Sequence, residues 1–158
     1  MADLPELLPV ETGYKKVLRA RLALMWLVLT AGALIAGYAL AGSTRFAMLI
    51  PAAVLLAGLL AVATVPARIH RRLRYGLSER LLQVVRGWLF HTDTVVPLVR
   101  VQHLDVVRGP FDKMFGTATL VLHTAGTHNS TVTVPGLAPE RAEAMRDIIR
   151  DHVRTDFA

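Results

Sequence analysis

The sequence predicts a membrane-embedded α-helical hairpin followed by an α+β domain. That domain is expected to be an antiparallel β-barrel or sandwich of about six or seven strands, closed by one C-terminal amphipathic helix. Three observations carry the expectation. Of the 30 charged side chains, 29 lie outside residues 22–67, where Arg45 stands alone. After Tyr75 the chain changes to short runs rich in Val, Leu and Thr, spaced by turn residues. From Pro139 onward apolar residues recur at steps of three and four. With 53% hydrophobic residues and a mean hydropathy of +0.44, the chain is too apolar for an ordinary soluble domain, and the excess sits in one place. The absence of cysteine excludes disulfide scaffolds, thiolate zinc sites and cysteine nucleophiles.

Leu22 to Gly42 supplies 21 uncharged residues, which as a helix reach roughly 30 Å, the thickness of the hydrocarbon layer. Phe46 to Ala67 supplies 22 more, with Pro51 near its start, where a missing N–H is best tolerated, and Pro66 near its end. Only Ser43, Thr44 and Arg45 separate the spans 22–42 and 46–67, so they are expected to be antiparallel neighbours. The resulting division is an N-terminal segment 1–21, a hairpin 22–67 and a folded domain 68–158. Lys15, Lys16, Arg19 and Arg21 precede the first span and Arg68, Arg71, Arg72 and Arg74 follow the second, against Arg45 alone in the turn. By the positive-inside rule a multi-pass membrane protein with both termini cytoplasmic is expected. Trp26 and Tyr38 suit the two interfacial belts. A competing reading, cleavage after Ala39-Leu40-Ala41 as in a signal peptide, conflicts with the length of the apolar run and with the second span.

Small residues recur at helical spacing: Ala33, Gly37 and Ala41 in one span, and Ala53, Ala57 and Ala61 in the other. Such stripes allow close helix packing within the hairpin or with another subunit, including a second copy of the chain, and an alanine-rich sequence also makes them by chance. No Asp, Glu, Lys or His interrupts either span, so a proton relay or transport site has no residue to carry it.

The basic run from Arg68 to Arg74 is expected against the inner leaflet, where it enforces topology and offers contacts to anionic headgroups. Strands are expected over 72–77, 80–86, 92–98, 101–108, 117–124 and 130–134. The last is the cleanest, since Val132 and Val134 alternate with Thr131 and Thr133. Pro97 suggests an edge strand. Phe111 and Phe115, four apart, suit one helical turn that plugs the domain. In the final helix Leu137, Ala142, Met145, Ile148, Ile149 and Val153 make the apolar stripe.

This order of elements is that of a pleckstrin-homology-like (PH-like) barrel. The segment Val96-Pro97-Leu98-Val99-Arg100-Val101-Gln102-His103-Leu104-Asp105-Val106 resembles the bacterial PH-like, YdbS-like membrane protein family. Gly109-Pro110-Phe111, Phe115-Gly116-Thr117-Ala118-Thr119-Leu120, His123-Thr124-Ala125-Gly126 and Pro135-Gly136-Leu137 continue the resemblance, which covers roughly residues 70–153. It implies a membrane-anchored PH-like domain, commonly encoded beside a larger protein with repeated copies of the same unit. It implies no catalytic activity and transfers no binding residue.

Catalysis finds little support in the residues themselves. His103 and Asp105 share one face of a strand, but no spacing brings Ser78, Thr124 or Ser130 to them, and no G-x-S-x-G elbow occurs. Metal-binding H-x-x-x-H and H-E-x-x-H spacings and phosphate-cradling glycine loops are missing, so no catalytic, cofactor or metal residue is assigned. The net charge of +6 lies mostly at the membrane flanks, while residues 75–158 carry nine basic and nine acidic side chains, which argues against nucleic acid. The expected function is a non-enzymatic interaction or scaffold module that assembles with a larger related multi-repeat PH-like membrane protein. Phe111, Met114 and Phe115 are candidate partner contacts. The alternative is a sensor of anionic lipid headgroups through Arg71, Arg72, Arg74 and Lys113.

Overall fold

The computed structural model describes residues 5–41, 48–88, 90–125 and 131–156. A short strand β1 (Leu8–Pro9) precedes helix α1 (Thr12–Ala41) and helix α2 (Leu49–Arg72). The turn Ser43–Arg45, the polar run 126–129, Ser130 and the side chain of Ala41 lie outside the described residues. Both helices are long and apolar enough to cross a membrane. They pack side by side, and Gly58 of α2 is buried where an added Cβ would lie 3.0 Å from the Trp26 ring of α1. Within the apolar stretches the Thr30 and Thr64 hydroxyls donate to the carbonyls of Trp26 and Leu60, each at 2.8 Å, so neither is left unsatisfied where water is scarce.

Helix α2 continues through Arg72, which corrects the expected start of a strand at that residue. The Leu73 N–H still donates to the Ile69 carbonyl at 3.1 Å, and His70, Arg71 and Arg72 complement the negative end of the helix dipole. One residue later β2 (Arg74–Leu77) begins, followed by β3 (Leu81–Arg86) and β4 (Thr92–Pro97). These pair antiparallel in the order β1-β2-β3-β4, which makes β4 with Pro97 an edge strand. A single 3-10 turn, Leu98–Arg100, ends β4 one residue earlier than expected and buries Leu98. The second sheet, in the order β5-β6-β7, contains β5 (Val101–Val107), β6 (Ala118–Thr124) and β7 (Thr131–Leu137). Between β5 and β6 lies the short helix α3 (Pro110–Phe115), and α4 (Pro139–Asp156) closes the chain.

The two sheets and α4 enclose one core containing Leu82, Val84, Leu98, Leu120, Leu122, Val134, Leu137 and Ile149, all nearly inaccessible. In β7, Val132 and Val134 are buried while Thr131 is exposed, the alternation expected of a half-buried strand. In α4, Ala142, Met145 and Ile149 face the core, but Ile148 is exposed and Leu137 belongs to β7, so the buried stripe is narrower than its sequence suggests. The N-terminal segment adds more than a leader to the spans. Leu8 and Pro9 extend the first sheet opposite Tyr75 and Arg74, and Val10, Tyr14 and Val17 are core residues. Gly136 makes room for this helix: its φ is +75°, and an added Cβ would lie 2.6 Å from Tyr14.

Candidate functional site

The junction between membrane helices and domain is built around Asp112. Pro110 sets the first turn of α3, and the Asp112 carboxylate, two residues on, accepts the Gly109 N–H at 3.2 Å. The same carboxylate accepts the Thr117 hydroxyl at 2.9 Å and the Arg21 guanidinium at 2.8 Å. Its side chain is 4% exposed, whereas that of Arg21 is 51% exposed. Gly116, at φ +65°, ends α3 in the left-handed conformation that returns the chain to β6. Arg21 stands at the last position before the apolar span, so the ion pair ties the root of α1 to α3 across 91 residues of sequence. Nearby, the Arg86 guanidinium of β3 donates to the Thr133 hydroxyl of β7 at 2.8 Å and so bridges the two sheets. Burial raises the Tyr14 phenol above its ordinary pKa, outweighing the lowering by Arg21 and Arg86, and it lowers the Arg86 guanidinium.

Phe111 and Phe115 pack against the core from α3, as the sequence suggested for a plug, while Met114 is 71% exposed and Lys113 exposed. Of the three expected partner contacts, Met114 is therefore the one that projects outward. The four expected headgroup contacts are not brought together. Arg71 and Arg72 join Arg68 and Trp88 around a cavity of about 380 Å³ beside the end of α2, but Arg74 lies on β2 and Lys113 on α3, and neither lines it. Sequence reasoning missed Trp88, and the signal available was an aromatic pair, Trp88 and Phe90, in the turn between two strands.

A second groove, about 450 Å³, runs between β5 and α4 and is lined by Val101, Leu104, His103, Arg146, Arg150 and Val153, with Gln102 at its rim. β5 is an edge strand with an irregular register between Val101 and His103, so one row of its backbone groups has no strand partner among the described residues. On the sheet surface His103 Nε2 lies 3.0 Å from Asp105, as two residues on one strand face allow, and His123 Nε2 lies 3.6 Å from the other carboxylate oxygen. The Thr131 hydroxyl lies 3.3 Å from His123 Nδ1, while Ser78 is bonded within its own turn to Leu81. All three ring and carboxylate side chains are more than 40% exposed, an arrangement suited to surface pairing rather than to a water-excluding cleft. Among the described residues no group of three or more His, Cys, Asp or Glu is placed to hold a metal ion.

The small-residue stripes occupy mixed environments: Ala33, Gly37 and Ala61 are half-buried, whereas Ala53 and Ala57 are exposed. The close approach of the two helices is instead at Gly58, which the stripes do not include.

Two antiparallel sheets closed by a C-terminal helix are joined to two apolar helices, an arrangement consistent with a PH-like fold. The sequence profile of the bacterial PH domain matches residues 17–153. The chain belongs to the bacterial PH domain family. That match begins at Val17, inside α1, in keeping with the N-terminal contribution to the core. The chain is also 36% identical over 95 residues to the transmembrane protein YdbS of Bacillus subtilis (strain 168), a stretch covering 60% of this chain and 58% of that protein. The chain thus matches little more than half the length of this relative. No solved structure matches. The bacterial PH domain here is joined to two helices long and apolar enough to cross a membrane.

Proposed function

We propose that this bacterial PH domain protein is a non-enzymatic, membrane-anchored interaction module. It sits in the bacterial inner membrane with both termini cytoplasmic and assembles with a larger related membrane protein carrying several PH-like units. The observation that carries this reading is the groove between edge strand β5 and α4. An extended segment laid there pairs with free backbone groups, buries side chains against Val101, Leu104 and Val153, and brings acidic residues to Arg146 and Arg150. Those two guanidiniums share Asp147, at 3.0 and 3.6 Å, which leaves donors for a partner. Anchoring raises the local concentration of the module at the membrane, so a groove of modest affinity suffices.

The test is co-purification of the tagged full chain with the related multi-repeat protein in mild detergent. Changing Arg146 and Arg150 to Glu should sharply reduce recovery while membrane insertion and melting temperature stay unchanged. Equal recovery with the unaltered and altered groove refutes this docking site, and recovery of the chain alone or as a homo-oligomer refutes the assembly. A reporter fused after Ala158 should be active on the cytoplasmic side, and periplasmic activity refutes the orientation.

A further inference from the structure

We infer that the cavity among Arg68, Arg71, Arg72 and Trp88 holds the phosphate headgroup of an anionic phospholipid, with Trp88 and Phe90, between β3 and β4, at the lipid interface. This inference does not depend on the protein-partner reading.

The depth of the cavity follows from helix geometry. Arg68 to Arg72 lie one to five residues beyond Ala67, where the apolar segment ends, and at about 1.5 Å per residue they reach roughly 1.5–7.5 Å past the hydrocarbon, the thickness of one headgroup layer. Their chemistry suits the same layer. Three guanidiniums on one helical end face a cavity of about 380 Å³, and none makes an ion pair with an acidic side chain among the described residues. Three unneutralised cations around one space attract an anion, and the planar fork of arginine matches phosphate oxygens two at a time.

The opposite wall is aromatic rather than acidic. Trp88 lines the cavity from the β3–β4 turn, and Phe90, two residues on, is 84% exposed. The informative feature is the pair, since Trp88 and Phe90 expose two aromatic side chains between the same two strands. Beside a membrane it becomes an anchor, because indole and phenyl groups favour the interface between headgroups and acyl chains. The cavity therefore presents guanidiniums to a phosphate and the Trp88 ring to the glycerol region, with the exposed Phe90 two residues along the chain for the upper acyl region. A free phosphate ester would use the arginines but would leave Phe90 without a role.

The experiment uses the full chain with Trp26→Phe, so that Trp88 is the one remaining tryptophan of the original two. The protein is placed in nanodiscs of phosphatidylcholine with or without phosphatidylglycerol, and lipids retained after extraction into mild detergent are counted by native mass spectrometry. Each basic side chain beside an anionic surface contributes on the order of a five-fold gain, so Arg71→Gln with Arg72→Gln should lower the preference for phosphatidylglycerol about twenty-fold. Replacing the same pair with Lys preserves the charge that sets topology and should restore part of the preference. Acyl chains brominated near the headgroup should quench Trp88, and Trp88→Ser with Phe90→Ser should weaken lipid retention without altering charge or orientation.

An unchanged preference in the Gln variant, or an unquenched Trp88 in the parent, overturns the inference. Displacement of the lipid by soluble glycerol 3-phosphate, with Trp88 unquenched, assigns the cavity to a free phosphate ester and overturns it equally.

Discussion

Replacing Asp112 with Ala should separate the domain from its helices energetically. The change leaves the Thr117 hydroxyl, on a residue with no exposed surface, without its acceptor, a cost of about 1–3 kcal/mol. It also removes the Arg21 contact, worth only about 0.5–1 kcal/mol because half of Arg21 is in water, and the carboxylate that accepts the Gly109 N–H, worth about 0.5–1 kcal/mol. The sum is about 2–5 kcal/mol, or roughly 4–20 °C in melting temperature for a chain of this length. Asp112→Asn should cost only about 1 kcal/mol, because the amide oxygen still accepts from Arg21 and Gly109 while the amide N–H donates to the Thr117 hydroxyl. The measurement is thermal melting of the full chain in mild detergent, followed by near-ultraviolet circular dichroism. A double-mutant cycle with Arg21→Ala gives the pairwise part. Equal losses for Ala and Asn, or a loss below about 1 kcal/mol for Ala, would refute the claim that unsatisfied buried polarity, rather than the charge pair, dominates at this node.

Four further outcomes follow from the same geometry. Gly136→Ala should destabilise by about 2–4 kcal/mol, since it forces a side chain into positive φ and onto Tyr14, and a melt within about 1 kcal/mol of the parent contradicts the close approach. Thr133→Val should cost about 1–2 kcal/mol by leaving the half-buried Arg86 without its cross-sheet acceptor, measured by the same melts. Because burial raises the Tyr14 phenol, folding stability from this group is complete below the unfolded pKa near 10 and is lost as pH climbs through the higher folded value. Tyr14→Phe should therefore flatten the alkaline limb of a stability–pH curve. Gly58→Leu should wedge the two helices apart at Trp26, and cysteine pairs introduced across them, clean in a chain with no native cysteine, should cross-link less efficiently.

The elements most legible in the sequence are those whose pattern is local. The charge-free runs mark both apolar helices, Pro139 opens α4, and the Val/Thr alternation marks β7, because each signal lies within one element. What escaped is non-local. Val10, Tyr14 and Val17 belong to the domain core, yet they are separated from the rest of it by the hairpin, and the helix carrying Tyr14 and Val17 runs on into an apolar span that hides their periodicity. Leu8, Val10, Tyr14, Val17 and Leu18 form a readable apolar series only once the span is set aside. The role of Asp112 was similarly hidden. Its position in the Phe111–Phe115 turn was visible, but its Arg21 partner is 91 residues away. The basic cavity was half legible: Arg71 and Arg72 were recognised by charge, whereas Trp88 arrives from a different hairpin whose place is set only by sheet register.

Helix α1 passes without interruption from the domain core at Tyr14 and Val17 through the residues of the span, and α2 meets the first sheet with Leu73 alone between them. Neither joint contains slack. Tilting the two rods, as a thinner or thicker bilayer would require, must turn the β-structure with them like a dial on a shaft. Any such change of tilt would reach the sheets directly, since among the described residues neither joint holds a flexible tether.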